Sequence, residues 1–312
     1  MQLSISPRLV GSAVILAVLV ALHPLPLAAQ EPQERPTFSS GVSLVPITAV
    51  VRDSKSRIVR GLSREDFQVL ENSQPRAIRE FTSTANGPVS LGVLFDTSGS
   101  MRGPNLDQGR AVVDRLMSLI LPASDEVALF TFDRALRQET DFTADPNRVR
   151  TALARSDAWG TTSIYDAIAD AARRVSARGP ARRALVVITD GLDTSSTLAP
   201  MDVAGLASAT DVPVYVLPVV APQRETIAEA RGDLADLAYW TGGDLLPATT
   251  ADETGRAVAA LIAELRQQYF LAIEASATTG WYRLDVTTKR RNLTVRTRSG
   301  YFAGAADSPQ VP

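Results

Sequence analysis

From Val89 onward two textures alternate along the chain. Short, almost wholly apolar runs at Val89–Phe95, Val127–Phe132, Ala184–Thr189 and Val214–Val219 predict strands buried on both faces, because a strand wet on one side would alternate apolar with polar residues. Between and after them, segments at about 105–121, 146–155, 164–177, 200–210, 228–241 and 252–268 carry apolar residues three and four positions apart, the spacing of an amphipathic helix. Strand and helix in alternation predict an α/β fold with a doubly wound, mostly parallel sheet covered on both faces.

The flanks follow another rule. Val42–Arg52 is rich in β-branched residues and ends at the turn-like Asp53-Ser-Lys-Ser56, and further strands are expected at Phe67–Leu70 and Ala77–Thr82, separated by the turn Glu71-Asn-Ser-Gln74. Gly61–Asp66 suits one helical turn, with Ser63 as cap and Asp66 reaching back to it. Beyond Gln268 strands return at Tyr269–Ala275, Trp281–Thr287 and Leu293–Thr297, with Gly280 marking a turn. Neither group has enough strands to bury a face by itself. Residues 41–87 and 269–303 are therefore expected to form one smaller, discontinuous β-sandwich-like domain, with the α/β domain, 88–268, inserted between them.

The first 29 residues have a polar start with Arg8, an apolar run from Leu9 to Leu22, and Ala28-Ala29 before Gln30. They read as a signal peptide, with a flexible leader over 30–40 and a flexible tail over 304–312. The apolar run falls short of the roughly 20 residues that span a bilayer, and Pro24 and Pro26 follow it, so cleavage is expected rather than retention as an anchor. An exported protein, periplasmic or secreted and not inserted in the membrane after cleavage, is the expectation.

Composition then removes whole classes of chemistry. The formal charge is −2, and removing a leader that carries only Arg8 makes it more negative, so no basic excess exists to neutralise nucleic-acid phosphates. The chain has no cysteine and one histidine, His23, inside the leader. Without imidazole or thiolate, Ser-His and Cys-His nucleophiles and typical zinc sites are unavailable. A metal would have to be held by oxygen, which favours hard ions such as Mg²⁺, Mn²⁺ or Ca²⁺.

Ligands of doubly wound sheets bind at the carboxyl ends of the strands, and three loops there are rich in oxygen. The first strand runs into Asp96-Thr-Ser-Gly-Ser100, in which Asp96, Ser98 and Ser100 recur at alternate positions and can converge, with Gly99 read as permitting a tight bend. The second is Trp159-Gly-Thr-Thr-Ser163 before a helix, and the third is Thr189-Asp190-Gly191 after a strand. This combination resembles the von Willebrand factor type A domain, whose metal-ion-dependent adhesion site joins D-x-S-x-S to a Thr before a helix and an Asp after a strand. The resemblance implies that Ser98, Ser100 and Thr162 ligate the ion directly, with Asp96 and Asp190 close to it, often through water. Thr161 is the rival to Thr162; alignment on Tyr165-Asp166-Ala167 favours Thr162, and Thr161 stands where the family usually has a second glycine. The stretch Gly61–Phe67 with Glu71-Asn72, and the ending Leu293–Phe302, are similar to a bacterial group described as VWFA-related, which extends the resemblance over about residues 42–303.

Neutral hydroxyls offset little of a cation's charge, so the ion would stay electrophilic, and the resemblance implies that it accepts a carboxylate from a protein partner. A non-enzymatic, exported binding module for adhesion or complex assembly is the expected function. The alternatives are a metal-dependent phosphohydrolase-like enzyme, which would need a second Asp at the position of Ser98, and a structural envelope protein with an unused site. Trp159 is expected either to shape the binding surface or to pack the loop. Asp193 is read as a solvated loop residue, and Arg231-Gly232-Asp233, an integrin-type tripeptide inside a predicted helix, as coincidence.

Overall fold

The computed structural model describes residues 43–83, 87–178, 182–220 and 225–304; the expected signal peptide, leader and nearly all of the tail lie outside them. Its centre is a five-stranded sheet ordered β7-β6-β5-β8-β9, from β5 (Val89–Asp96), β6 (Glu126–Phe132), β7 (Leu136–Gln138), β8 (Arg182–Thr189) and β9 (Val214–Pro218). β5, β6, β8 and β9 pair in parallel, and β7 joins antiparallel at the edge. All eight residues of β5 are buried, which is why its sequence shows no alternation. The helices are α1 (Pro104–Met117), α2 (Pro146–Leu153), α3 (Ile164–Ser176), α4 (Pro200–Ala209), α5 (Glu225–Trp240) and α6 (Ala251–Leu265). One core cluster joins α1, α2 and α6 to the sheet and another joins α3, α4 and α5, so both faces are covered. Gly92 lets α3 come close: a Cβ there would stand 2.5 Å from Val175 Cγ2.

The flanking strands are β1 (Leu44–Asp53), β2 (Phe67–Glu71), β3 (Gln74–Arg76), β4 (Ile78–Thr82), β10 (Tyr269–Glu274), β11 (Gly280–Thr288), β12 (Leu293–Arg296) and β13 (Gly300–Ala303). They form two four-stranded sheets, β12-β1-β10-β4 and β13-β11-β2-β3. Each mixes strands from both ends of the chain, as the shortage of partners in either group requires. Phe67, Tyr269 and Phe81 meet between the sheets, with Phe67 and Tyr269 rings 5.1 Å apart. Asn72 and Ser73 take positive φ in the β2–β3 turn, and Asp66 accepts from Ser63 N at 2.9 Å in the expected one-turn helix.

Several expectations need correction. β3, β7 and β13 were not anticipated; each has only three or four residues, and β7 exposes two of its three, leaving no apolar run to read. The expected helix 105–121 ends at Met117 and that of 252–268 at Leu265, because the remaining apolar residues belong to the connections into β6 and β10.

A buried polar joint ties the β region to the α/β region. Glu264 of α6, fully buried, receives Arg52 of β1, Arg296 of β12 and the Tyr215 hydroxyl of β9, the last at 3.0 Å. Arg296 also pairs with Asp244. Nearby, buried Arg298 lies 3.5 Å from Asp211 and donates to the carbonyls of Ser208 and Pro46.

Candidate metal centre

Parallel pairing sets Asp96 opposite Phe132 and Phe95 opposite Ile188, so β5 and β8 end side by side, Asp96 on one and Thr189-Asp190 on the other. β5 lies where the strand order turns, with β6 on one side and β8 on the other. This is the crevice position of a doubly wound sheet.

Backbone hydrogen bonds stitch the three loops together. Thr97 N donates to Phe132 O at 2.8 Å, Trp159 N to Thr97 O at 2.7 Å and Gly99 N to Gly160 O at 3.0 Å. Thr194 N and Ser195 N both donate to Thr162 O at 2.9 Å, which joins the second loop to the third. Gly99 eases this approach, since a Cβ there would sit 3.2 Å from Gly160 O, a contact that would press on the loop. Gly99 does not take a positive φ; the left-handed positions are Gly160 and Gly191, so the expected tight bend is instead a close contact.

Within this frame Ser98 N donates to Asp96 Oδ1 at 2.8 Å, and the Ser98 and Ser100 hydroxyl oxygens are 3.1 Å apart. Asp96, Ser98, Thr162 and Asp190 are buried, whereas Ser100 is exposed. Thr162 is buried and Thr161 exposed. Burial pushes the Asp96 carboxyl up to about 6; hydrogen bonds from Thr189 and Ser98 oppose the rise, and the Asp190 charge adds to it. Among the described residues neither Asp96 nor Asp190 forms an ion pair with a cationic side chain. The donor set is oxygen throughout and holds two carboxylates that feel each other's charge and form no ion pair among the described residues, so it fits a hard divalent cation. No cluster of three or more His, Cys, Asp or Glu occurs among the described residues, and the site is correspondingly rich in hydroxyls.

Sequence reasoning passed over the supports. Thr189, read as the strand end that opens the third loop and given no role of its own, donates its hydroxyl to Asp96 Oδ2 at 2.6 Å and accepts from Gly191 N at 3.0 Å. Asp193 is not a free loop residue: its Oδ1 accepts from Ile164 N at 2.8 Å and from Ser196 Oγ at 2.6 Å. Asp166 accepts from Thr197 N and Leu198 N. The signal was the Thr194-Ser-Ser-Thr197 run, whose small hydroxyls bind nearby backbone and carboxylates instead of packing. Arg231 also belongs here. Its stem would be 3.5 Å from a Cβ on Gly191, the residue after Asp190, and its Nε and Nη2 are buried without a partner. Burial depresses its basicity and the Asp190 charge works against that.

Residues 91–192 match the family of the von Willebrand factor type A domain. The chain carries a von Willebrand factor type A domain in its α/β region. No curated protein matches the chain. Among solved structures it is similar to an aerotolerance-related membrane protein from Bacteroides fragilis, at 21% identity over 57% of this chain and 98% of that one, with a TM-score of 0.49. A von Willebrand factor type A protein from Catenulispora acidiphila is 13% identical over 86% of this chain and 76% of that one, TM-score 0.49. Proximal thread matrix protein 1 from the mussel byssus, with a zinc-occupied MIDAS motif, is 14% identical over 62% of this chain and 49% of that one, TM-score 0.48. Among the described residues no helix is long and apolar enough to cross a membrane.

Proposed function

We propose that Ser98, Ser100 and Thr162 hold a divalent cation, with Asp96 and Asp190 near it, and that an exported protein uses this ion to bind a protein partner through a carboxylate. Mg²⁺ is the first choice, with Mn²⁺ or Ca²⁺ as alternatives. The observation that carries the reading is the pair of buried carboxylates, Asp96 and Asp190, at two neighbouring strand ends near an exposed Ser100 and, among the described residues, with no ion pair of their own. Two such groups cost free energy until a cation joins them. The bound ion would offer an open coordination position to an anionic ligand. Thr162 is preferred to Thr161 because it is the buried one of the two. Export rests on the pattern of residues 1–29.

Calorimetric titration of Mg²⁺ and Mn²⁺ into the wild type, Ser98→Ala and Asp190→Ala tests the site: both variants should bind the ion more weakly. Equal affinity in all three proteins defeats the assignment. Capture of partners in Mg²⁺, with EDTA elution, then tests the use of the ion.

A further inference from the structure

The rim of the proposed site carries an exposed tryptophan with an arginine laid over it. Trp159 is 64% exposed, although its backbone is fastened to the first loop through Thr97 O at 2.7 Å. The Arg102 guanidinium lies over the Trp159 ring, 4.2 Å from its centroid, and Arg102 Nε donates to Ala158 O at 2.9 Å. Arg102 comes two residues after Ser100, just past the short turn Gly99–Met101, and is itself exposed. Ring and carbonyl thus hold the stem and Nε in place, while among the described residues no group accepts from Nη1 or Nη2. A long side chain that would otherwise be mobile is pre-oriented, and that lowers the entropic cost of its next contact. Trp and Arg are also the side chains over-represented among energetic anchors of interfaces.

An ion at the Asp96–Ser100 loop and a guanidinium two residues further on make two adjacent positive points on one rim. Charge complementarity selects a partner segment with two acidic side chains close together. We propose that Arg102, braced by Trp159, is a specificity-determining contact that takes the second carboxylate of an acidic peptide segment whose first carboxylate faces the ion. This rests on the metal reading above and goes beyond it by stating what the partner must present. Trp159 adds an apolar face for the stem between the two acidic residues.

The probes are fluorescent Gly/Ser peptides carrying one Asp, or two Asp spaced by zero, one or two residues, measured by polarisation in saturating Mg²⁺. Metal affinity and melting curves are recorded for each protein. The wild type should bind the best two-Asp peptide about five-fold more tightly than the one-Asp peptide, the scale of one exposed charge pair. Arg102→Gln should erase that gap while leaving Mg²⁺ affinity, melting and one-Asp binding unchanged, and Trp159→Ala should narrow it. Arg102→Lys, which keeps the charge but not the planar fork, should retain part of it. Equal binding of one- and two-Asp peptides by the wild type, no peptide binding at all, or a gap that survives in Arg102→Gln overturns this proposal while the metal reading stands. Absence of Mg²⁺ binding by the wild type overturns both.

Discussion

Two regions of the molecule gather buried charge, and they treat it in opposite ways. At the joint between the β and α/β regions, Glu264 meets Arg52 and Arg296, Arg296 reaches Asp244 as well, and Arg298 faces Asp211. At the ends of β5 and β8, Asp96 and Asp190 come together with hydroxyls and, among the described residues, with no cationic partner in ion-pair contact. At the joint each of these carboxylates has an arginine within ion-pair distance. The strand-end crevice is left with negative charge in excess, and Ser100 opens it to solvent. Paired charges suit a structural joint, whereas carboxylates without an ion pair suit the binding site proposed above.

The comparison breaks first at Glu264. Glu264→Ala strands Arg52 and Arg296 and should destabilise the protein by about 3–5 kcal/mol, the usual cost of removing one partner from a buried pair. Urea denaturation giving less than about 1 kcal/mol would show that the joint is solvated and the contrast unfounded. Next comes the ion. Mg²⁺ at about 100 times its dissociation constant should stabilise the wild type by roughly 2.7 kcal/mol. Ser98→Ala and Asp190→Ala should lose most of this gain, yet melt near the EDTA-treated wild type because their side chains sit at loop ends outside the core. Variants that unfold even in EDTA would make the crevice a structural element like the joint.

Arg231 sharpens the contrast. As a cation beside Asp190 it disfavours a second positive charge, so Arg231→Gln should tighten Mg²⁺ binding about two- to five-fold, in line with a screened interaction of about 0.5–1 kcal/mol. Unchanged or weaker binding in the titration removes Arg231 from the site. The smallest effect is expected at Thr161: Thr161→Ala should leave metal affinity as it is, while Thr162→Ala lowers it, and the reverse result exchanges their assignments.

Much of the fold was legible because burial on both faces leaves a plain mark. Val89–Phe95 and Ala184–Thr189 read as strands within one or two residues of β5 and β8, whereas β7, with an antiparallel edge position and two exposed residues, left no hydrophobic pattern. The loop Asp96–Ser100 stood out through its alternate oxygens. Its supports did not, since Thr189, Asp193 and Asp166 act through partners that are near in space and, for Asp96 and Thr189, 93 residues apart in sequence. Arg231 was set aside as part of a chance tripeptide, and nothing in its own neighbourhood of sequence points to Gly191.

The amino-acid order alone determined the long buried strands and amphipathic helices, the α/β class with flanking strands, the absence of thiolate chemistry and of any histidine after His23, and the oxygen-rich loops. These depend on local period and composition, which a linear chain displays. Tertiary structure decided which threonine is buried, which carboxylates form ion pairs with arginine and which do not, and where Arg102 and Trp159 stack. Those depend on desolvation and on distances between segments far apart in the chain, quantities that exist only once the strands have paired and the helices have covered them.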